Sequence, residues 1–149
     1  FYNLWSINNR TVSGQNQINN TPVVKTIYDP SPVGFSVPSN AAFTGFTANG
    51  LNEGTMNVDG TDNQTSYNAQ YGHVFWTNST KISTIAFPAA GYRDSQNGAW
   101  FYGGKFGDYW SADPNDVNNG CVMGLQADKV YPLYRNIRTY GFAVRPVAE

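Results

Sequence analysis

Short strands and long ordered loops in an α+β arrangement, with one or two short helices, are what three features of this chain imply. Its 149 residues include 10 Tyr, 9 Phe, 4 Trp and 15 Gly, yet charged side chains make up only 13%. β-Branched and aromatic residues punctuated by Gly, Pro and Asn favour strands and turns over helix interiors. The segment Lys81 to Phe87 alternates, with Ile82, Thr84 and Ala86 opposite Lys81, Ser83, Ile85 and Phe87, which is the period of a strand. Ser39 followed by Ala41, Ala42, Phe43 and Phe46 has the spacing of a brief capped helix with both rings on one face. The length suits one substantial core, so a single domain over residues 1–149 is expected.

The elements follow in order. Phe1 to Trp5 reads as a strand, and the Asn-, Gln-, Gly- and Thr-rich stretch from Asn8 to Thr21 as an extended loop. Val23 to Tyr28 reads as a second strand. It is stopped by Asp29-Pro30-Ser31-Pro32, since two prolines do not fit a ladder interior. Gly45 and Gly50 keep the helix short, and Leu51 to Tyr71 suits hairpins. His73 to Thr77 and Lys81 to Phe87 form two strands joined by Asn78-Ser79-Thr80. Further short strands cover Tyr109 to Ser111, Cys121 to Gln126 and Gly141 to Val147.

In the C-terminal third, turn phrases that look like scaffold are separated by chemically unrelated side chains. The phrases are Phe87-Pro88-Ala89-Ala90-Gly91-Tyr92-Arg93, Gly107-Asp108-Tyr109-Trp110-Ser111 and Tyr140-Gly141-Phe142-Ala143-Val144-Arg145-Pro146. Between them stand Tyr131, Tyr134, Arg135, Asn136, Ile137 and Arg138. That mixture has neither helical nor strict strand periodicity and suits a binding loop. Tyrosines offer contact area and a hydroxyl at small entropy cost, and Arg135 and Arg138 offer planar donors. Trp110 and Phe142 read as core aromatics, and Arg145 as the anchor of a structural hydrogen-bond network.

Together with Ile27-Tyr28-Asp29-Pro30-Ser31-Pro32-Val33-Gly34-Phe35, these phrases resemble the C-type-lectin-like domains of variable surface proteins from gut bacteria and their phages, including targets of diversity-generating retroelements. The resemblance spans residues 26–149. It implies a C-type-lectin-like α+β fold, the C-terminal part of a larger extracellular protein at a cell surface or phage tail, and a variable face that binds a protein or glycan ligand. Related domains often carry Cys where this chain has Ser31 and Pro146, so a bridge is lost here, worth roughly 2–4 kcal/mol in such a loop. In diversified members, adenines of asparagine codons are replaced. Tyr131, Tyr134, Arg135, Asn136, Ile137 and Tyr140 are all residues reachable that way. The contact set expected is Tyr131, Leu133, Tyr134, Arg135, Asn136, Ile137, Arg138 and Tyr140, extended by Tyr102, Phe106, Asp108, Asp113, Asn115, Cys121 and Met123.

Other function classes find little support. A net charge of -1 with 9 scattered Lys and Arg offers no stripe for a phosphate backbone, so no nucleic-acid partner is expected. Cys121 has no partner cysteine and no spacing that pairs it with His73 as nucleophile and base. The formylglycine-generating enzymes that share the lectin-like fold use two cysteines, so no catalytic role is expected. Asp113 to Gly120 is oxygen-rich, but Val117 takes a coordinating position of the EF-hand pattern and no Glu closes it. The run reads as a solvated loop, with no metal and no cofactor expected. No apolar run approaches the roughly 20 residues of a membrane span. The alternative to a recognition module is a fixed structural or adhesive subunit of a pilus or surface assembly.

Overall fold

The computed structural model describes residues 4–8, 10–59, 67, 68 and 71–149. Among these, the strands form four small antiparallel sheets. β1 (Phe35–Ser36) pairs with β9 (Val147–Ala148), β2 (Gly72–Trp76) with β3 (Thr84–Pro88), and β4 (Tyr92–Arg93) with β5 (Trp100–Phe101). The largest sheet has the order β6-β7-β8, from Gly107–Pro114, Asn119–Leu125 and Val130–Ile137. The helical element delimited among the described residues is a 3-10 helix, Asn40–Phe46.

The core follows from period. In the 3-10 helix residues three apart eclipse, so Phe43 and Phe46 share a face, with ring centroids 6.3 Å apart. Phe46 packs 4.5 Å from Phe75 of β2 and 4.9 Å from Phe87 of β3. Phe87 in turn meets Tyr109 of β6 edge-on at 5.0 Å, a geometry aromatic quadrupoles favour. Met123 and Leu125 of β7 and Val130 at the start of β8 complete this apolar layer. Arg145 lies 4.5 Å over the Phe87 ring and donates to the Ala86 carbonyl, closing the C-terminal segment onto β3.

The expected α+β C-type-lectin-like fold is corrected by this architecture. Small two- and three-stranded sheets make up most of the regular structure among the described residues, and the helix that Ser39 introduces is a 3-10 turn. Ser39 sits at its N-cap without a side-chain bond, so the expected cap is absent. Val23 to Tyr28 makes no strand. It keeps one isolated bridge, Lys25 to Ser6, while the Lys25 ammonium donates to the carbonyls of Ser31, Pro32 and Phe35. That clamp, with Asp29 accepting from the amides of Ser31 and Val37 at 2.7 and 2.9 Å, shapes the Pro-rich turn. The N-terminal strand expectation lies partly outside the described residues, and Leu4 and Trp5 form a bend. The expectation of hairpins over Leu51 to Tyr71 also lies partly outside them; its described part makes two isolated bridges, Thr47 to Met56 and Val58 to Phe75. The strand expected over Gly141 to Val147 is instead a strap with isolated bridges at Gly141 and Ala143 that leads into β9 at Val147: Ala143 donates to the Asp108 carbonyl at 3.0 Å and accepts from the Trp110 amide at 2.9 Å.

Candidate ligand-binding surface

The largest departure from the sequence reading lies at residues 130–137, expected as a binding loop and observed as strand β8. Its alternation is broken by a bulge. Tyr131 pairs with Gly124 and Tyr134 with Val122, so β8 spends one residue more than β7 over that interval. The extra residue puts Tyr131 and Tyr134 side by side, with ring centroids 5.5 Å apart, whereas a regular strand would send residues three apart to opposite faces. Pro132 is tolerated because β8 is an edge strand and needs no outer ladder donor there.

A single side chain holds the free edge at the bulge. The Asn52 carboxamide accepts from the Leu133 amide at 2.8 Å and donates to the Leu133 carbonyl at 3.0 Å. Next to it, the Glu53 amide donates to the Val130 carbonyl at 3.0 Å. The loop carrying Asn52 and Glu53 thus substitutes for a further strand.

Asp108 of β6, Gly124 of β7 and Tyr131 of β8 lie in one row across the sheet. A Cβ on Gly124 would meet the Asp108 Oδ1 at 3.3 Å and the Tyr131 Cβ at 3.9 Å, so the missing side chain leaves a floor between the two. Over it opens a cleft of about 340 Å³, walled by Phe106, Tyr131 and Tyr134, with Gln15 and Glu53 from the N-terminal half and Gln126 at one end. Among the described residues no donor reaches the Asp108 carboxylate. Burial, unopposed by any partner, pushes its carboxyl up to about 6. The Glu53 carboxylate forms a loose pair with Lys129 at 3.8 Å.

From Phe106 a run of half-exposed rings leads away from the cleft. Tyr102 stacks on Phe106 at 4.7 Å and stands 5.7 Å from Tyr92. Tyr92 meets Tyr140 at 5.3 Å, Tyr140 stacks on Phe142 at 5.4 Å, and Phe142 reaches the buried Trp110 at 4.9 Å. Tyr102 holds its place in the left-handed region, at φ +57°, which a bulky side chain rarely adopts.

The predicted contact residues therefore divide. Tyr102, Phe106, Asp108, Tyr131, Tyr134 and Tyr140 join the cleft and ring run, and Arg135, Asn136 and Ile137 follow along the outer part of β8. Five others are corrected as contacts because they are buried. Met123 and Leu133 fill the interior, and the Cys121 thiol is pushed up to about 12, chiefly by burial. Asp113 accepts from the Asn19 side chain at 2.7 Å and the Asn40 amide at 2.6 Å, while Asn115 donates to the Val12 carbonyl. These two tie the N-terminal segment to the sheet, so the first half of the run expected as a solvated loop is interior. Arg138 is half-buried, and its guanidinium braces the β6–β7 turn by donating to the carbonyls of Asn119 at 3.0 Å and Asp116 at 2.9 Å.

The Asp116 carboxylate accepts from the amides of Asn118 and Asn119 and from the Asn119 side chain, which lowers its carboxyl below the usual range. Its oxygens are spent on shaping the β6–β7 turn. His73 meets the Gln126 carbonyl through Nε2 at 2.7 Å. Sequence reasoning missed Asn52, Glu53, Tyr92 and Gly124 as parts of this surface. Tyr92 was legible as an aromatic inside a turn phrase. The other three carry no local signal, because their roles arise from partners on other elements of the fold.

A family model described as a domain of unknown function (DUF8237) matches residues 63–147. No curated protein matches the chain, and no solved structure does.

Proposed function

We infer that this chain, which belongs to the DUF8237 family, is a non-enzymatic recognition module that binds a protein or glycan ligand on another cell or surface. The reading is carried by the continuous run of half-exposed rings from Phe142 through Tyr140, Tyr92 and Tyr102 to Phe106, ending at the Tyr131–Tyr134 cleft. Aromatic side chains grouped at a surface, with polar groups among them, are the usual composition of binding faces. Cys121 is buried with a thiol of raised pKa, and Asp113 and Asp116 spend their oxygens on structural bonds. The surface is therefore read as a place for binding and not for covalent chemistry.

The proposal extends to diversification and to an extracellular setting. Tyr131, Tyr134, Arg135, Asn136, Ile137 and Tyr140, the residues reachable from asparagine codons by adenine replacement, all fall at half-buried or exposed positions. A face built on an edge strand, and tied down by backbone ladders and Asn52, tolerates new side chains without loss of the scaffold. The test is a library randomised at residues 131, 134, 135, 136 and 137, screened for folding and against glycan arrays and whole cells. The expected result is unchanged melting for most members, since exposed substitutions typically shift stability by less than about 0.5 kcal/mol, with ligands gained or lost. Widespread aggregation would instead identify a permanent structural interface. At the DNA level, a near-copy of the segment from Gly98 to Arg145, differing at adenines beside a reverse transcriptase gene, is the expected companion.

A further inference from the structure

We propose that the cleft over Gly124 is a site for a monovalent organic cation, an alkylammonium or guanidinium group, paired by Asp108 and flanked by the rings of Phe106, Tyr131 and Tyr134. This specifies the ligand chemistry of the surface described above and rests on that reading. Its lining contains two carboxylates, Asp108 and Glu53, three aromatic rings and no cationic side chain. Ring faces carry negative potential and attract cations, most strongly where water is excluded. Two carboxylates flanked by rings are too few oxygens for a hard metal ion, and the described residues contain no cluster of three metal-ligating groups.

Two details favour a charged ligand over a neutral sugar. The Asp108 carboxylate accepts no hydrogen bond from the described residues and is half-buried, so it faces the cleft with its charge uncompensated and partly screened from water. Lys129 already places an ammonium 3.8 Å from Glu53 at the rim, with both side chains about half exposed. The cleft's volume of about 340 Å³ accepts the end of an Arg or Lys side chain as readily as a small free amine.

The charged groups around Asp108 set how the site answers to pH. Glu53 and Tyr131 stand in the wall, and Lys129 and Asp128 act on Tyr131 from the rim. Tyr67, Tyr92 and Tyr109 feel the Asp108 charge from the other side, and all three stay protonated well above neutrality. His73 bonds to the carbonyl of Gln126 behind the cleft, and Asp108 is the carboxylate in the lining that burial brings into the window between pH 5 and pH 8. Cation affinity should fall about tenfold from pH 8 to pH 5, the loss expected when a carboxyl near pH 6 takes up its proton.

The test is titration of the full chain with methylguanidinium, n-butylammonium, neutral acetamide and neutral monosaccharides, followed by calorimetry and NMR. Terminally blocked peptides carrying one Arg or one Lys form a separate arm. Binding of the free cations with no gain from the peptides identifies a small-molecule amine as the source, and a gain of tenfold or more identifies a basic side chain of a protein partner. Both outcomes support the site. Asp108→Asn is expected to weaken cation binding at least about tenfold and to abolish its pH dependence, and Tyr134→Ala to weaken it without altering that dependence. Equal binding of neutral probes, or cation binding indifferent to Asp108→Asn, overturns the proposal. If cations fail while the randomised β8 library still gains and loses ligands, the cleft assignment falls and the recognition reading stands.

Discussion

The Asn52 carboxamide and the backbone of Leu133 form a reciprocal pair, N–H to Oδ1 at 2.8 Å and Nδ2–H to the carbonyl at 3.0 Å. The side chain occupies both polar groups at the one place where β8 departs from its ladder. The bulge in turn aligns Tyr131 with Tyr134. Asn52→Ala removes both bonds and leaves the amide and carbonyl of buried Leu133 without a protein partner. It should cost about 1–3 kcal/mol, read as a lowered denaturation midpoint, with faster amide exchange at Leu133. Unchanged exchange there would show that β8 keeps its bulge without Asn52.

Asp108→Asn should stabilise the protein at pH 8. The folded carboxyl sits near 6, above its ordinary value of 3.8. Its contribution to stability is therefore fully present below pH 4 and is lost as pH rises through 6. The wild type weakens across that window and the variant lacks this part of the loss. We expect the variant to be more stable by roughly 1–3 kcal/mol at pH 8, the gap closing by pH 4. Asp113, also pushed up to about 6 by burial and only partly offset by bonds from Asn40 and Asn19, adds a loss of the same sign in both proteins. Chemical denaturation at the two pH values measures the difference.

Tyr102 is held at φ +57° while its ring stacks on Phe106. Glycine adopts that backbone without the Cβ penalty, although it adds freedom to the unfolded chain. Tyr102→Gly should leave stability within about 1 kcal/mol of the wild type and reduce recognition by the ring run. A collapse in melting temperature would assign the tyrosine to the scaffold.

Cys121 should resist thiol reagents in the native protein, being buried with a thiol pushed up to about 12. Labelling is expected to appear only with global unfolding, and to quicken as pH rises from 7 to 9, since the exposed thiol of the unfolded chain reacts as its thiolate. Fast labelling of the folded chain would contradict the burial described for β7.

Much of the framework is legible in the amino-acid order. The pairing of β2 with β3 follows from the alternation ending at Phe87, and Phe43 and Phe46 share a face as their spacing requires. The strand character of residues 130–137 is not legible, because the bulge at Pro132 and Leu133 removes the period of two on which that reading depends. Asp113 and Asn115 look like loop residues by type, and the N-terminal segment, which their side chains bind from about a hundred residues away, makes them interior.

Composition and local pattern established a β-rich, aromatic-cored domain with turns at its Gly and Pro phrases, and they singled out the segment around Tyr131 to Ile137 as a surface of unusual chemistry. Those properties depend on neighbours within a few residues. Which of those side chains face outward, the small sheets in place of an α+β fold, and the placing of Asp108 beside Gly124 with no donor among the described residues were settled by assembly. Sheet register, edge position and burial depend on partners distant in the chain, and no local pattern encodes them.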